Sequence, residues 1–366
     1  MKKLALIVGV FFIFLQGFTL RAQEYYENIN SLAGVALDGL TGQILYAKNP
    51  HIKIPPASTV KLLTAMVVLD RLPLSQKIRI SGTVENISST PPLLYEGEVY
   101  TVDDLLHLML IKSSNQAAVA LAEAVAGSEE KFSELMNQKA RALGFKDSHF
   151  VTASGLPAPG QYTTAYELAL LLYEALKYPH IKQIINLPVK IITSQQGRTL
   201  IVKNTNKLLF EEEIKEEIIG GKTGYTRLSK HCLVNVAQVK DRLVITSLLG
   251  APYRDALWED TKKLIKFSEL VLERKVSPVI INTAINLSIP ASTKPISYYK
   301  ESRKEVLSKS LAKNKVKAEA LAKNKNKSLA KNKGKVKIAS QSTNKAKTVK
   351  KSKRLYTAQS KNQKNS

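Results

Sequence analysis

The sequence predicts an α+β fold in which one antiparallel sheet of about five strands packs against a helical block. Three observations carry this reading. Strand-like segments gather at both ends of the folded region, the middle is patterned as helix, and no strand–helix–strand alternation runs through it. At the front, 31–38 and 43–48 read as a hairpin turning at Asp38-Gly39-Leu40-Thr41-Gly42. Pro55-Pro56 ends it and delivers the chain to a helix over 60–72, opened by Ser58 and apolar on every face, hence buried. Residues 81–98, with Pro91-Pro92 and Gly97, read as surface loop.

Thr101 caps the next helix, with Asp103 and Asp104 in its first turn. Lys112-Ser113-Ser114-Asn115 breaks the apolar pattern, which resumes from Ala117 to Gly127. Ser128-Glu129-Glu130 starts a further helix, and Thr164 with Glu167 makes a capping box for one reaching about residue 177. Strands follow: 190–193 with 199–203 across Gln196-Gly197, then 221–226, 231–239 and 242–249. An amphipathic helix over 254–272 closes the set.

The chain of 366 residues carries a net charge of +25. Residues 301–366 hold 21 of the 55 basic and 3 of the 30 acidic side chains, so the rest is only mildly basic at +7. That tail repeats Leu-Ala-Lys-Asn-Lys at Leu311, Leu321 and Leu329 and has too few large apolar residues to offset its ordering entropy, which predicts disorder. Its lysines suit anionic envelope polymers or lipid surfaces. Nucleic acid is a poor partner for an exported chain, and export follows from Met1-Lys2-Lys3 ahead of the apolar 4–20. The organisation is therefore a signal peptide or retained anchor over 1–22, a folded domain over 23–275, a short β-like extension over 276–300, and the tail over 301–366, in a protein of the periplasm or cell envelope. One cysteine, Cys232, allows no internal disulfide and reads as a buried structural thiol. Five scattered histidines suggest no metal site, and no cofactor is expected.

The chemistry is carried by Ser58 and Lys61. A serine hydroxyl needs a base, and a lysine in a dry site can act as one because burial lowers its pKa. Ser-x-x-Lys occurs six times, so alone it says little. Two further motifs lie in folded sequence. Ser113-x-Asn115 offers a hydroxyl that can pass a proton and an amide that can grip a peptide. Lys222-Thr223-Gly224, unique in the chain, offers a charge, a hydroxyl and close backbone approach.

With these three motifs in order, residues 32–272 resemble the low-molecular-mass penicillin-binding proteins that act as serine-type D-alanyl-D-alanine carboxypeptidases. The likeness extends to Ser154-Gly155-Leu156-Pro157, to Asn204-Thr205-Asn206-Lys207-Leu208-Leu209 and to Gly250-Ala251-Pro252. It implies the penicillin-binding protein and serine β-lactamase-like transpeptidase fold. It also implies that Ser58 forms an acyl-enzyme with peptidoglycan stem peptides and with β-lactams. Lys61 would be its base and Ser113 with Lys222 its proton relay. Asn115, Lys222, Thr223 and Gly224 would bind substrate, and the backbone N–H groups of Ser58 and Tyr225 would hold the oxyanion. Tyr225 and Gln116 stand where such proteins often carry histidine and aspartate. A DD-endopeptidase would use the same residues. A β-lactamase would need a deacylating carboxylate, and 154–164 contains no Glu-x-x-x-Asn loop. A non-catalytic envelope-binding protein held by its tail fits poorly with an intact motif set. Arg254 reads as a surface ion-pair partner of Asp255 or Glu259.

Overall fold

The computed structural model describes residues 28–283. The expected signal segment, most of the 276–300 extension and the basic tail lie outside them. Strands β1 (Ala33–Asp38) and β2 (Ile44–Lys48) form the expected hairpin. Strands β7 (Ile218–Thr226), β8 (Lys230–Val239) and β9 (Arg242–Ala251) form the expected meander. Pairing of β1 with β9 joins the two sets antiparallel. The strand β10 (Val279–Ile281) then adds a sixth, parallel to β2, so the order is β10-β2-β1-β9-β8-β7. This mixed edge corrects the purely antiparallel expectation. A three-residue strand carries too little pattern to show its direction.

Helices cover both faces, and for that reason β1 is buried at every position instead of alternating. One face packs on α1 (Lys61–Leu69), α3 (Val102–Ile111), α4 (Asn115–Ala126), α5 (Glu129–Ala142) and α6 (Ala165–Ala175). Between α1 and α3 lie β3 (Lys77–Arg79), the single turn α2 (Gly82–Glu85) and β4 (Val99–Thr101), and the expected separate hairpin is β5 (Val189–Thr193) with β6 (Thr199–Lys203). The other face packs on α8 (Arg254–Leu272), through Leu257, Trp258, Leu264 and Phe267. Tyr46 meets Phe267 edge to face at 5.8 Å. Buried Asp260 of α8 accepts from the N–H and side chain of both Asn30 and Ser31, which ties the approach to β1 onto that helix.

Several local expectations need correction. Residues 81–98 are not all surface: Val84 and Leu94 are fully buried, and fully buried Gln116 holds Leu94 by both its N–H and its C=O. A helix the sequence reading omits, α7 (Pro179–Asn186), starts with proline at a position where the missing N–H costs nothing. At α6 the capping is one-sided. Thr164 caps the Glu167 N–H, but the Glu167 carboxylate turns away to the N–H groups of Lys146 and Asp147 and to Ser148. Among the described residues Arg254 makes no ion pair with Asp255 or Glu259. Cys232 is buried and hydrogen-bonded to the Ser229 carbonyl, and burial pushes its thiol up to about 12.

Candidate active site

Ser58 sits not on an α-helix but in a 3-10 turn, Ala57–Val60, that leads into α1. With three residues per turn, positions i and i+3 eclipse, which sets Lys61 over Ser58. The Lys61 amine lies 2.7 Å from Ser58 Oγ, donates to Asn115 Oδ1 at 2.8 Å, and also donates to the Ser154 carbonyl. Lys61 has no exposed surface. Burial drives its pKa well below the ordinary lysine value, and the charge of Lys222 pushes the same way, against an opposing pull from Glu129.

Ala57 adopts φ +50°, a left-handed conformation that is unfavourable for a residue with a Cβ. The turn 152–156 packs against it. A Cβ on Gly155, itself at φ +77°, would lie 1.8 Å from the Ala57 carbonyl oxygen, so no side chain fits there. Strand β7 passes on the other side. A Cβ on Gly224 would lie 2.9 Å from Ala57 Cβ and 3.0 Å from Ser58 N. Both glycines let backbone close around the nucleophile turn.

Ser113 occupies the break between α3 and α4 at φ +65°, the second strained residue of the site. Ser114 caps α4 through the Ala117 N–H, so Asn115 opens that helix. Its side-chain N–H₂ donates to the Ser88 carbonyl at 2.8 Å and its backbone N–H to Ser89 Oγ at 3.0 Å. Gln116 faces away from the cleft. It clamps Leu94 and the Glu85 carbonyl and so fixes the loop that carries Ser88 and Ser89.

From β7, Lys222 reaches Ser113 Oγ at 2.9 Å and its own neighbour's carbonyl, that of Thr223, at 3.0 Å. Burial lowers its pKa to about 7. Thr223 shares a 2.6 Å hydroxyl contact with Thr205. Tyr225 is 59% exposed and stacks on His231 at 4.5 Å. The structure thus brings Ser58, Lys61, Ser113, Asn115, Lys222, Thr223, Gly224 and Tyr225 to one cleft. Sequence reasoning gave no role to Glu129, whose carboxylate accepts from the Ala153 N–H beside the Ser154 carbonyl that Lys61 uses. The acids opening α5 look like an ordinary helix start, and only the fold turns one of them toward Lys61.

Chemically, the cleft offers a hydroxyl nucleophile in contact with a dry amine. It adds a second hydroxyl–amine pair and a strand edge that can line up a peptide. The sequence profile of the D-alanyl-D-alanine carboxypeptidase family matches residues 19–253. The chain is 32% identical over 224 residues to the Bacillus subtilis D-alanyl-D-alanine carboxypeptidase DacF, covering 60% of this chain and 57% of that one. It therefore spans little more than half the length of that relative. It is 36% identical over 247 residues to the D-alanyl-D-alanine endopeptidase of Pseudomonas aeruginosa, covering 66% and 78%. The Streptomyces K15 DD-transpeptidase superposes with a TM-score of 0.62 at 27% identity, covering 66% of this chain and 97% of that one.

Proposed function

Since the chain belongs to the D-alanyl-D-alanine carboxypeptidase family, we propose that it is a serine peptidase that removes the terminal D-alanine from peptidoglycan stem peptides. One observation carries the reading: the fully buried Lys61 amine lies 2.7 Å from Ser58 Oγ. Lys61, neutral because it is desolvated, takes the Ser58 proton as Oγ attacks the carbonyl between the two D-alanines. The N–H groups of Ser58 and Tyr225 receive the developing oxyanion. As the C–N bond breaks, the departing amine gains a proton through Ser113, which Lys222 contacts at 2.9 Å. Asn115 holds the peptide amide. Thr223 and the positive charge of Lys222 bind the terminal carboxylate, and that carboxylate in turn favours the charged lysine. Water then attacks the Ser58 ester and frees the enzyme.

Fluorescent penicillin should label the wild-type chain and leave Ser58→Ala unlabelled. Label on the variant at wild-type level would remove Ser58 from the role. A second reading, cleavage of crosslinks, is favoured by the likeness to the Pseudomonas endopeptidase. D-alanine release from a linear pentapeptide, compared with opening of a crosslinked dimer, separates the two. The apolar run at 4–20 supports export, and the 21 basic side chains of the tail support attachment to anionic envelope material.

A further inference from the structure

Away from the cleft, three metal-ligating side chains converge where the first half of α3 meets the N-terminal end of α7. Asp103 and His107 stand four residues apart on α3 and so share one face. His180, the second residue of α7, comes against them. One ligand atom from each of the three lies within 4.8 Å of the others. Asp103 Oδ1 is 2.7 Å from His180 Nε2 and 3.3 Å from His107 Nδ1, and the two rings meet edge to face at 5.8 Å.

The 2.7 Å contact has the length of an ion pair but not the direction of a hydrogen bond. Asp103 Oδ1 and His180 Nε2 are both closed off from solvent, yet neither makes a directional hydrogen bond. Buried polar atoms in that state are rare and call for a partner. Two imidazole nitrogens and a carboxylate oxygen are the donor set of a tetrahedral Zn²⁺ site. Its bonds of about 2.0–2.2 Å hold neighbouring ligand atoms roughly 3.3 Å apart. The site needs an opening of about half an ångström between Asp103 and His180 to reach that spacing. His107 Nδ1 also lies 2.8 Å from the Asp103 carbonyl oxygen, so without metal its proton sits on Nδ1. Ligation through Nδ1 gives up that contact and moves the proton to Nε2.

We propose that Asp103, His107 and His180 form a zinc-class metal site that clips α3 to α7, with its fourth position open to water. Its place in the fold gives it a positioning role. Helix α3 ends at Ile111, two residues before Ser113. Helix α7 ends at Asn186, whose side chain donates to the Ile219 carbonyl on β7, three residues before Lys222. The clip therefore braces both helices whose far ends set the second hydroxyl–amine pair. From His107 to the end of α3 is about 6 Å along the axis and Ser113 lies two residues beyond, so the ion acts through the helices and not on the reacting atoms.

The test uses the full chain stripped of metal with a chelator and titrated with Co²⁺, whose visible absorption reports coordination number, and with Zn²⁺ against a chromophoric competitor. One equivalent should bind, with the absorption of a four- or five-coordinate ion, and Zn²⁺ should raise the melting temperature. His180→Ala should weaken binding about tenfold or more while its metal-free circular dichroism and melting match the metal-free wild type. Asp103→Asn makes the same comparison with a side chain of unchanged shape. Absence of a visible Co²⁺ band in the wild type, or equal affinity in both variants, would overturn the site.

Discussion

Lys61 and Lys222 approach the cleft from opposite sides, and neither has surface of its own. Their depressed pKa values make opposite demands on pH. Nucleophile activation needs Lys61 neutral, so acylation should fall on the acid side. In the proposed mechanism carboxylate binding uses the charge of Lys222, which is lost as pH rises through about 7. The alkaline limb should therefore appear in KM for peptides ending in a free carboxylate, and should vanish for an ester or amide analogue. An alkaline limb identical for both substrates would contradict the assignment. Stability carries its own signature. Because the folded pKa of Lys222 is lowered from 10.5 to about 7, the unfolded chain binds more protons between those values. The Lys222 contribution to stability thus rises with pH across that window, by at most about 1.4 kcal/mol per pH unit. Denaturant melts of Lys222→Met, which keeps the packing but not the proton, should lack that increment. Gly155→Ala places a methyl group against the Ala57 carbonyl at a left-handed φ, and should cost about 1–3 kcal/mol together with most acylation. The nucleophile, its amine and the Ser113, Asn115 and Lys222 groups were readable as residue types in order. The strained φ of Ala57 and Ser113 was not, since nothing in alanine or serine announces it.

Among the elements, α4 shows how a helix start can be held from outside. Its first residue, Asn115, faces the cleft, and its second, Gln116, reaches back to Glu85 and Leu94. Gln116→Ala would remove three hydrogen bonds, two of them to the buried backbone of Leu94, and release the loop that cradles Asn115. The expected loss is about 2–4 kcal/mol by thermal or urea melting, with a slower penicillin acylation rate in the surviving folded protein. An unchanged acylation rate would show that the loop does not position Asn115. Helix α8 was legible to the residue, because its amphipathic stripe is long and turn residues flank it. Helix α7 was missed because Pro179 reads first as a breaker and eight residues give barely two turns of periodicity. The 81–98 segment was misread for a related reason. Its burial is organised by Gln116, a polar residue far along the chain, and not by an apolar pattern of its own.

Across the whole molecule, the sheet buries both faces, and its layers were readable as strands at either end of a helical middle. What the sequence could not show is pairing order, which brings β1 beside β9 over two hundred residues away. The residues proposed to act lie within 58–225 and their supports within 28–283, so deleting 303–366 should leave penicillin labelling and melting temperature unchanged. The same deletion should reduce retention on isolated cell envelopes, a loss that added salt should reproduce in the full chain. The sheet order has a mechanical corollary. Strand β7, which bears Lys222, and strand β10, from which the chain runs on past Thr283, are opposite edges. Five strand spacings separate them, about 24 Å. A tether pulling from residue 283 would thus grip the body at the edge away from the cleft. The Lys222 edge would then be the part of the sheet farthest from the point of pull.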